Sequence, residues 1–329
     1  MLTYMIRRTL YMIPLLLIVS LISFSLIKLM PGDYLTTARM NPQITEQTLQ
    51  QQIERFGLDR PFLVQYWFWL KNVLQGDFGT SFDTRMPVFK TLFFGSRLMW
   101  TVIIAMTTLV LTWIFAIPIG IYSATHQYKT SDHVVTFFGF LGLSIPNFFF
   151  ALVLMWMLVV IFHVGDRGLG VAGLLDSRFF DSPFSWAKFV NYIWHLWPVW
   201  VVIGTANMAG LIRLMRGSLL DTLSLPYVQT ARSKGLTERV VTYKHAVRNA
   251  INPLVTTLGL SLPGLVNGGV ITAIVLNIPT VGRAYFSALQ RQDEPVIMGG
   301  LLFFSLFLLI GNVIADFLLA WVDPRIRYD

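Results

Sequence analysis

The 329-residue chain contains no cysteine, so disulfides and thiolate metal sites are excluded. It is also poor in charge. Asp, Glu, Lys and Arg make up 13% of the residues, well short of a soluble domain's share, whereas 55% are hydrophobic. With a mean hydropathy of +0.62, this composition is that of a polytopic membrane protein. Signatures of chemistry are missing as well. There is no Gly-x-x-x-x-Gly-Lys-Ser/Thr loop to cradle nucleotide phosphates; Lys90-Thr91 and Lys129-Thr130 follow Phe89 and Tyr128 instead of glycine. His-Glu-x-x-His, Gly-x-Ser-x-Gly and a pair of intramembrane aspartates are likewise absent, which leaves no catalytic residue and no metal ligand set to nominate.

The formal charge of +8 does not imply nucleic acid. Most cations lie between apolar runs, where membrane topology accounts for them, and no solvated basic domain remains.

What the chain does have is six apolar segments of spanning length, about 20 residues or more. They cover about Thr9–Met30, Leu98–Thr125, Val134–Val164, Asn191–Ile212, Leu254–Leu276 and Val296–Trp321. Residues 1–30 imitate a signal peptide, but the apolar run is too long and no small-residue cleavage site follows, so the first span is expected to be retained. Arg7 and Arg8 place the N-terminus in the cytoplasm, and six spans return the C-terminus there. The loop between the fourth and fifth spans then faces inward, and it is the most basic, with Arg213, Arg216, Arg232, Lys234, Arg239, Lys244 and Arg248 against Asp221 and Glu238.

The expected organisation is an N-terminal spanning helix over 1–30, an extracytoplasmic segment over 31–97, a five-helix core over 98–322 with an inward loop over 213–253, and a tail over 323–329. Within the outward segment, Ile44–Phe56 reads as a polar helix. Pro61–Leu70 reads as an aromatic amphipathic helix, at the interface or under a partner, and Gly76–Ser81 as a turn.

The inward loop carries the most informative pattern. Pro226 suits the first turn of a helix and Gly235 the left-handed residue that ends it. Thr237 can cap a second helix with Glu238 at its positive end, and Asn252-Pro253 closes that helix before the fifth span. The result is a short helix–glycine–helix elbow, with Ala231, Ser233 and Gly235 small enough for close approach of a partner. Spacing alone also fits a basic loop lying on anionic headgroups of the lipid bilayer.

Tyr227-Val-Gln-Thr-Ala-Arg-Ser-Lys-Gly-Leu236 and His245-Ala-Val-Arg-Asn-Ala250 resemble the cytoplasmic signature of permease subunits of ATP-binding-cassette importers, in its peptide-importer form. Gln229-Thr230-Ala231 stands at the Glu-Ala-Ala (EAA) triplet and Gly235 at the glycine four residues on. Further matches run nearly end to end: Pro31-Gly32-Asp33, Gly57–Pro61, Gly76–Gly79, Ser144-Ile-Pro146, Pro279 with Gly282-Arg283, Asp293 with Pro295, and Asp323–Tyr328. Two positions depart from the pattern: Ala273 where Glu is common, and Thr280 where Gly follows the proline.

The resemblance implies an all-α membrane protein with the type I importer permease fold. It implies a bacterial or archaeal cytoplasmic (inner) membrane, and partnership with a homologous second permease, two ATPase subunits and an extracytoplasmic binding protein. ATP and Mg would reside on the partners, with no cofactor in this chain. Tyr227, Gln229, Thr230, Ala231, Arg232, Ser233, Lys234, Gly235 and Leu236 would form the coupling helix that docks on the ATPases. Cargo would be peptide, with nickel chelates, glutathione or oligosaccharides as alternatives within the same class.

Inside the spans, polar residues are few. Pro263, Gly264, Gly268 and Gly269 interrupt the fifth span, a pattern tolerated where backbone lines a cavity or is buried in protein. Asn147, Asn207, Ser261 and Asn267 are candidates for a substrate pathway, and equally for helix–helix packing. Asp316 is an acid well inside a span, and either structural pairing or function accounts for it. His163 and His195 fall near outer span ends, where an interfacial role is expected. An ion-coupled secondary transporter would call for several mid-membrane acids or a repeat of broken helices, and neither is evident.

Overall fold

A computed structural model describes residues 2–29, 47, 50, 53, 54, 59–92 and 96–322. The Ile44–Phe56 helix, the Pro31–Asp33 motif and the 323–329 tail fall wholly or largely outside the described residues. The described chain is helical, with one isolated bridge between Thr80 and Pro87. It divides into two compact units, residues 1–101 with 279–309, and residues 102–278 with 310–329. Among the described residues, four helices are long and apolar enough to span a membrane, or five if one bent pair counts as a single span.

In the first unit, α1 (Leu2–Leu29) holds the amphipathic helix α2 (Phe62–Leu74) through aromatic edges. Phe24 sits 5.4, 5.6 and 6.0 Å from the rings of Phe62, Tyr66 and Trp69, and the Ser20 and Tyr66 hydroxyls hydrogen-bond at 2.8 Å. No residue of α2 is fully buried. The turn after it is built as its glycines suggest: Gly76 and Gly79 have φ of +83° and +85°, and Asp77 accepts from the Gly79 N–H.

The unit's core joins Phe24 and Ile27 to Val88 and Leu92 of α3 (Val88–Leu92) and to Val296, Ile297, Met298 and Phe303 of the last helix (Glu294–Val322). Lys28 pairs with Glu294 at 3.2 Å. Close packing depends on Gly299 and Gly300. A Cβ on Gly299 would lie 2.8 Å from Val88 Cγ1, and one on Gly300 would overlap the Tyr285 ring. Gly300→Ala is therefore expected to cost about 1–3 kcal/mol through overpacking, read as a lower unfolding temperature of the purified chain in detergent.

In the second unit, α4 (Ser96–Thr125, which enters it at Val102) is followed by α5 (Thr130–Ser144) and α6 (Asn147–Trp156, continued by a π-helical turn over Met157–Ile161). Within the segment Val134–Val164, expected as one span, the chain bends by 104° between α5 and α6. Pro146 is the cause: it has no N–H, and it forces Ile145 out of helical geometry, to φ −90° and ψ 122°.

The spine of the unit is α7 (Trp186–Leu223), which runs beyond the expected end at Ile212, so Arg213 and Arg216 lie in the helix rather than in a loop. It packs against α5, α6 and α11 (Asn252–Val275). Small residues allow the contact with α5: a Cβ on Gly142 would come within 2.8 Å of Thr205 Cγ2 and 3.2 Å of its carbonyl oxygen.

The expected interruption at Pro263 is a further correction, because α11 is one continuous helix. A single missing N–H within a packed helix bundle is accommodated without a break.

Candidate functional site

The elbow consists of α8 (Pro226–Ser233), then an α-turn α9 (Glu238–Val240), a π-helical segment over Val241–Ala246 and a second α-turn α10 (Val247–Ala250). Pro226 occupies the first turn, with Leu225 as an extended cap residue. Gly235 has φ +76°, in the left-handed region that the reversal needs, and its N–H bonds Arg232 O at 2.9 Å. Thr237 precedes α9 but makes no side-chain cap bond. What closes the elbow is an ion pair, Arg232 Nε to Glu238 Oε1 at 2.8 Å and Nη2 to Oε2 at 3.3 Å.

The underside is apolar. Val228, Ala231, Val241, Ala246, Ala250 and Leu254 join Met215 and Leu219 of α7 and Ala116, Ile121 and Ala124 of α4 in one core. Ser218 donates to Ala250 O at 2.7 Å, and the Asn249 amide donates to the Tyr227 hydroxyl at 2.7 Å. Ala231 therefore faces inward, at 6% exposure, and is not on the surface where close approach was expected. Helical period explains it: Val228 and Ala231, three apart, share the buried face.

Tyr227, Gln229, Thr230, Arg232, Ser233, Lys234, Gly235 and Leu236 are exposed together, as are Arg239, Val240 and Tyr243. Leu236, Val240 and Tyr243 are 40%, 37% and 59% exposed, so apolar side chains sit among the cations.

A second feature fixes the helix that carries the elbow. Asp132, in the first turn of α5, accepts from Arg216 Nε at 3.2 Å and Nη2 at 3.0 Å, from the Tyr128 N–H at 3.1 Å, and from the Ser123 hydroxyl. It is 3% exposed. No local pattern announces this pair, because its partners are 84 residues apart.

Of the pathway candidates, Asn207 and Ser261 come together. Both line a cavity of about 30 Å³ with Thr112, Trp113, Leu109 and Leu211, room for a water or two. Their own bonds are local, Asn207 to Ile203 O and Ser261 to Thr257 O. Thr112 Oγ1 and Trp113 Nε1 are buried without a partner. Asn147 begins α6, away from this cavity, and the side chain of Asn267 lies outside the described residues.

Two other positions differ from expectation or explain a departure. His195 is 2% exposed, not interfacial: its Nε2 donates to Asp176 Oδ1 at 3.2 Å. Burial alone would raise the Asp176 carboxyl, but the Gly170 N–H, the Asn191 amide and His195 together hold it below the ordinary carboxylate range. A depressed folded value gives stability above the unfolded pKa of about 3.9 and loses it as pH falls through the folded one. Protection of the Gly170 amide, read by hydrogen exchange, should therefore be full at neutral pH and decline below about pH 4. Thr280 accepts from the Arg283 N–H as the cap of α12 (Val281–Gln290), with φ −108°, so glycine is not required there.

Nearly the whole chain matches known families. Residues 116–328 match the model of the binding-protein-dependent transport system inner membrane component, and residues 1–114 match the N-terminal model of the same membrane components. The chain is similar to the oligopeptide transport system permease protein AppB of Bacillus subtilis, 38% identical over 329 residues, covering all of both chains. It is 31% identical over 342 residues to the dipeptide transport system permease protein DppB of Alkalihalophilus pseudofirmus, again covering both chains fully. Against the glutathione transport system permease protein GsiC of Salmonella choleraesuis it is 34% identical over 330 residues, with both chains fully covered.

Proposed function

The chain belongs to the binding-protein-dependent transport system inner membrane component family, and we propose that it is a permease subunit of an ATP-driven peptide importer, moved through its elbow by partner ATPases. The observation that carries the reading is an exposed, mixed apolar and cationic elbow, set on a core continuous with α7. A partner that grips it moves a rigid body, and a rigid body can transmit a stroke to the spans it joins.

In this reading the chain crosses the membrane six times, with both termini and the elbow on the cytoplasmic side and residues 31–97 outside. The bent pair α5–α6 serves as one span and α11 as another. Tyr227, Gln229, Thr230, Arg232, Ser233, Lys234, Gly235 and Leu236 form the docking surface, and Ala231 holds it to the core. A second, homologous permease shares the pathway, two ATPases supply ATP and Mg, and an extracytoplasmic binding protein delivers cargo. Asn207 and Ser261 mark the pathway in this half. The names of the relatives favour oligopeptides or dipeptides, with glutathione in the same range of size and chemistry.

The test is reconstitution. Proteoliposomes holding this chain, its partner permease and the ATPases should take up peptide only with ATP and the binding protein present. Uptake by this chain alone, driven by an ion gradient, would refute the proposal.

A further inference from the structure

The first unit contains a cavity of about 350 Å³, lined by Ser81, Asp83, Thr84, Thr91 and Arg97 together with residues of α12 and the start of the last helix. This volume lies at the small end of ligand-binding pockets. Three guanidinium groups line it, from Arg97, Arg283 and Arg291, with two carboxylates, Asp83 and Asp293.

Those charges are not all committed. Asp83 pairs with Arg291. Asp293, 3% exposed, is held by neutral donors: the Ser81 hydroxyl at 2.5 Å and the N–H groups of Phe82 and Asp83 at 3.1 and 3.3 Å. Arg97 donates one N–H to Thr91 O at 3.0 Å, which leaves four of its five donors. Arg283 is half-buried, and its backbone N–H bonds Thr280, but among the described residues its guanidinium makes no hydrogen bond or ion pair. Both arginines are only partly buried, and the donors left unused on Arg283 and Arg97 are open to an acceptor that a solute brings into the cavity. The positive end of α12, a ten-residue helix, forms part of the same wall and adds to the cationic field.

We propose that this cavity binds the carboxylate of a small solute, with Arg283 as the principal contact and Arg97 beside it. Guanidinium matches a carboxylate through two parallel N–H bonds, which an amide cannot reproduce. Taking the importer reading as given, the solute is the incoming peptide and the group is its C-terminal carboxylate, bound on the outer side before translocation. Asp83 and Asp293 tune the site: they leave one net positive charge, so a bound anion is held weakly enough to be released.

The experiment uses the full chain in nanodiscs, titrated calorimetrically with trialanine and with trialanine amide. Trialanine should bind about tenfold more tightly than the amide, a difference in keeping with charge-assisted pairing. Arg283→Gln should abolish that difference, Arg283→Lys should retain part of it, and Arg97→Gln should reduce it. Equal binding of acid and amide by the unsubstituted chain would overturn the proposal. So would no binding at all, or full discrimination in Arg283→Gln; no binding would also be the outcome if the cavity served only an acidic side chain of a docked protein. The two readings fail separately. ATP-driven uptake by an assembly whose permease does not bind trialanine sinks the site alone. Discrimination by the chain without ATP-dependent uptake in the assembly sinks the importer reading alone.

Discussion

Gly235→Val should reduce ATP-driven uptake about tenfold at matched amounts of assembled complex, with membrane insertion unchanged. The reason lies in the backbone. Gly235 has φ +76°, yet a Cβ built on it meets nothing within 4 Å, so crowding is not the obstacle. Holding an L-residue in the left-handed region costs roughly 1–2 kcal/mol, and a β-branched one suffers most. If valine relaxes to negative φ, the reversal between α8 and α9 is rewritten. Leu236 and Glu238 then leave their places, and Glu238 loses Arg232. About 1.4 kcal/mol against the docking-competent shape is a tenfold loss of its population.

A substitution ladder separates this from a size effect. Gly235→Asn should be the mildest change although asparagine matches valine in bulk, because asparagine tolerates left-handed geometry; Gly235→Ala should fall between. Uptake in proteoliposomes measures all three, and ranking by side-chain volume instead of left-handed propensity would remove φ from the explanation.

The parts legible in the sequence are those set by local chemistry. Pro226 and Gly235 bound α8 because one lacks an N–H and the other tolerates positive φ, and both effects are intrinsic to the residue. Pro61–Leu70 reads as a helix from its aromatic period, and the helix runs on to Leu74. Prolines within apolar runs are less legible. Pro146 coincides with a sharp bend and Pro263 sits inside a continuous helix, and the sequence, with the same missing N–H at both, does not tell them apart.

Side-chain facing was similarly hidden at Ala231, since a small residue suits a partner surface and a tight core equally well. His195 fell at a span end by position, but Asp176 and Asn191 draw it into a buried network that assembles only in three dimensions. Two findings of consequence left no mark in the sequence, the Asp132–Arg216 pair and the arginine-lined cavity. Both depend on residues far apart in the chain meeting through helix packing.

The first of these supports a second large expectation: Arg216→Ala should destabilise the chain by about 3–5 kcal/mol, the range for removing one partner of a buried ion pair. Asp132 has a side chain only 4% exposed and Arg216 one 29% exposed, so the carboxylate stays buried when its cation is gone. Ser123 and the Tyr128 N–H still donate to it, but neither carries charge. Arg216→Lys should recover part of the loss, because an ammonium restores the charge but not the two-point grip of Nε and Nη2. The double substitution Asp132→Asn with Arg216→Gln should cost less than Arg216→Ala alone, since it removes the uncompensated charge along with the pair.

Apparent melting temperatures in detergent give the stability order, and uptake by the assembled complex gives the functional one. The two should move together, because the pair fastens α7 to the first turn of α5 ahead of the elbow, and a looser α7 would absorb a stroke that a rigid one passes on. Should Arg216→Ala melt with the unsubstituted chain, within about 1 kcal/mol, the pair behaves as an exposed one, and the stiffness of this end of α7 must come from its apolar core.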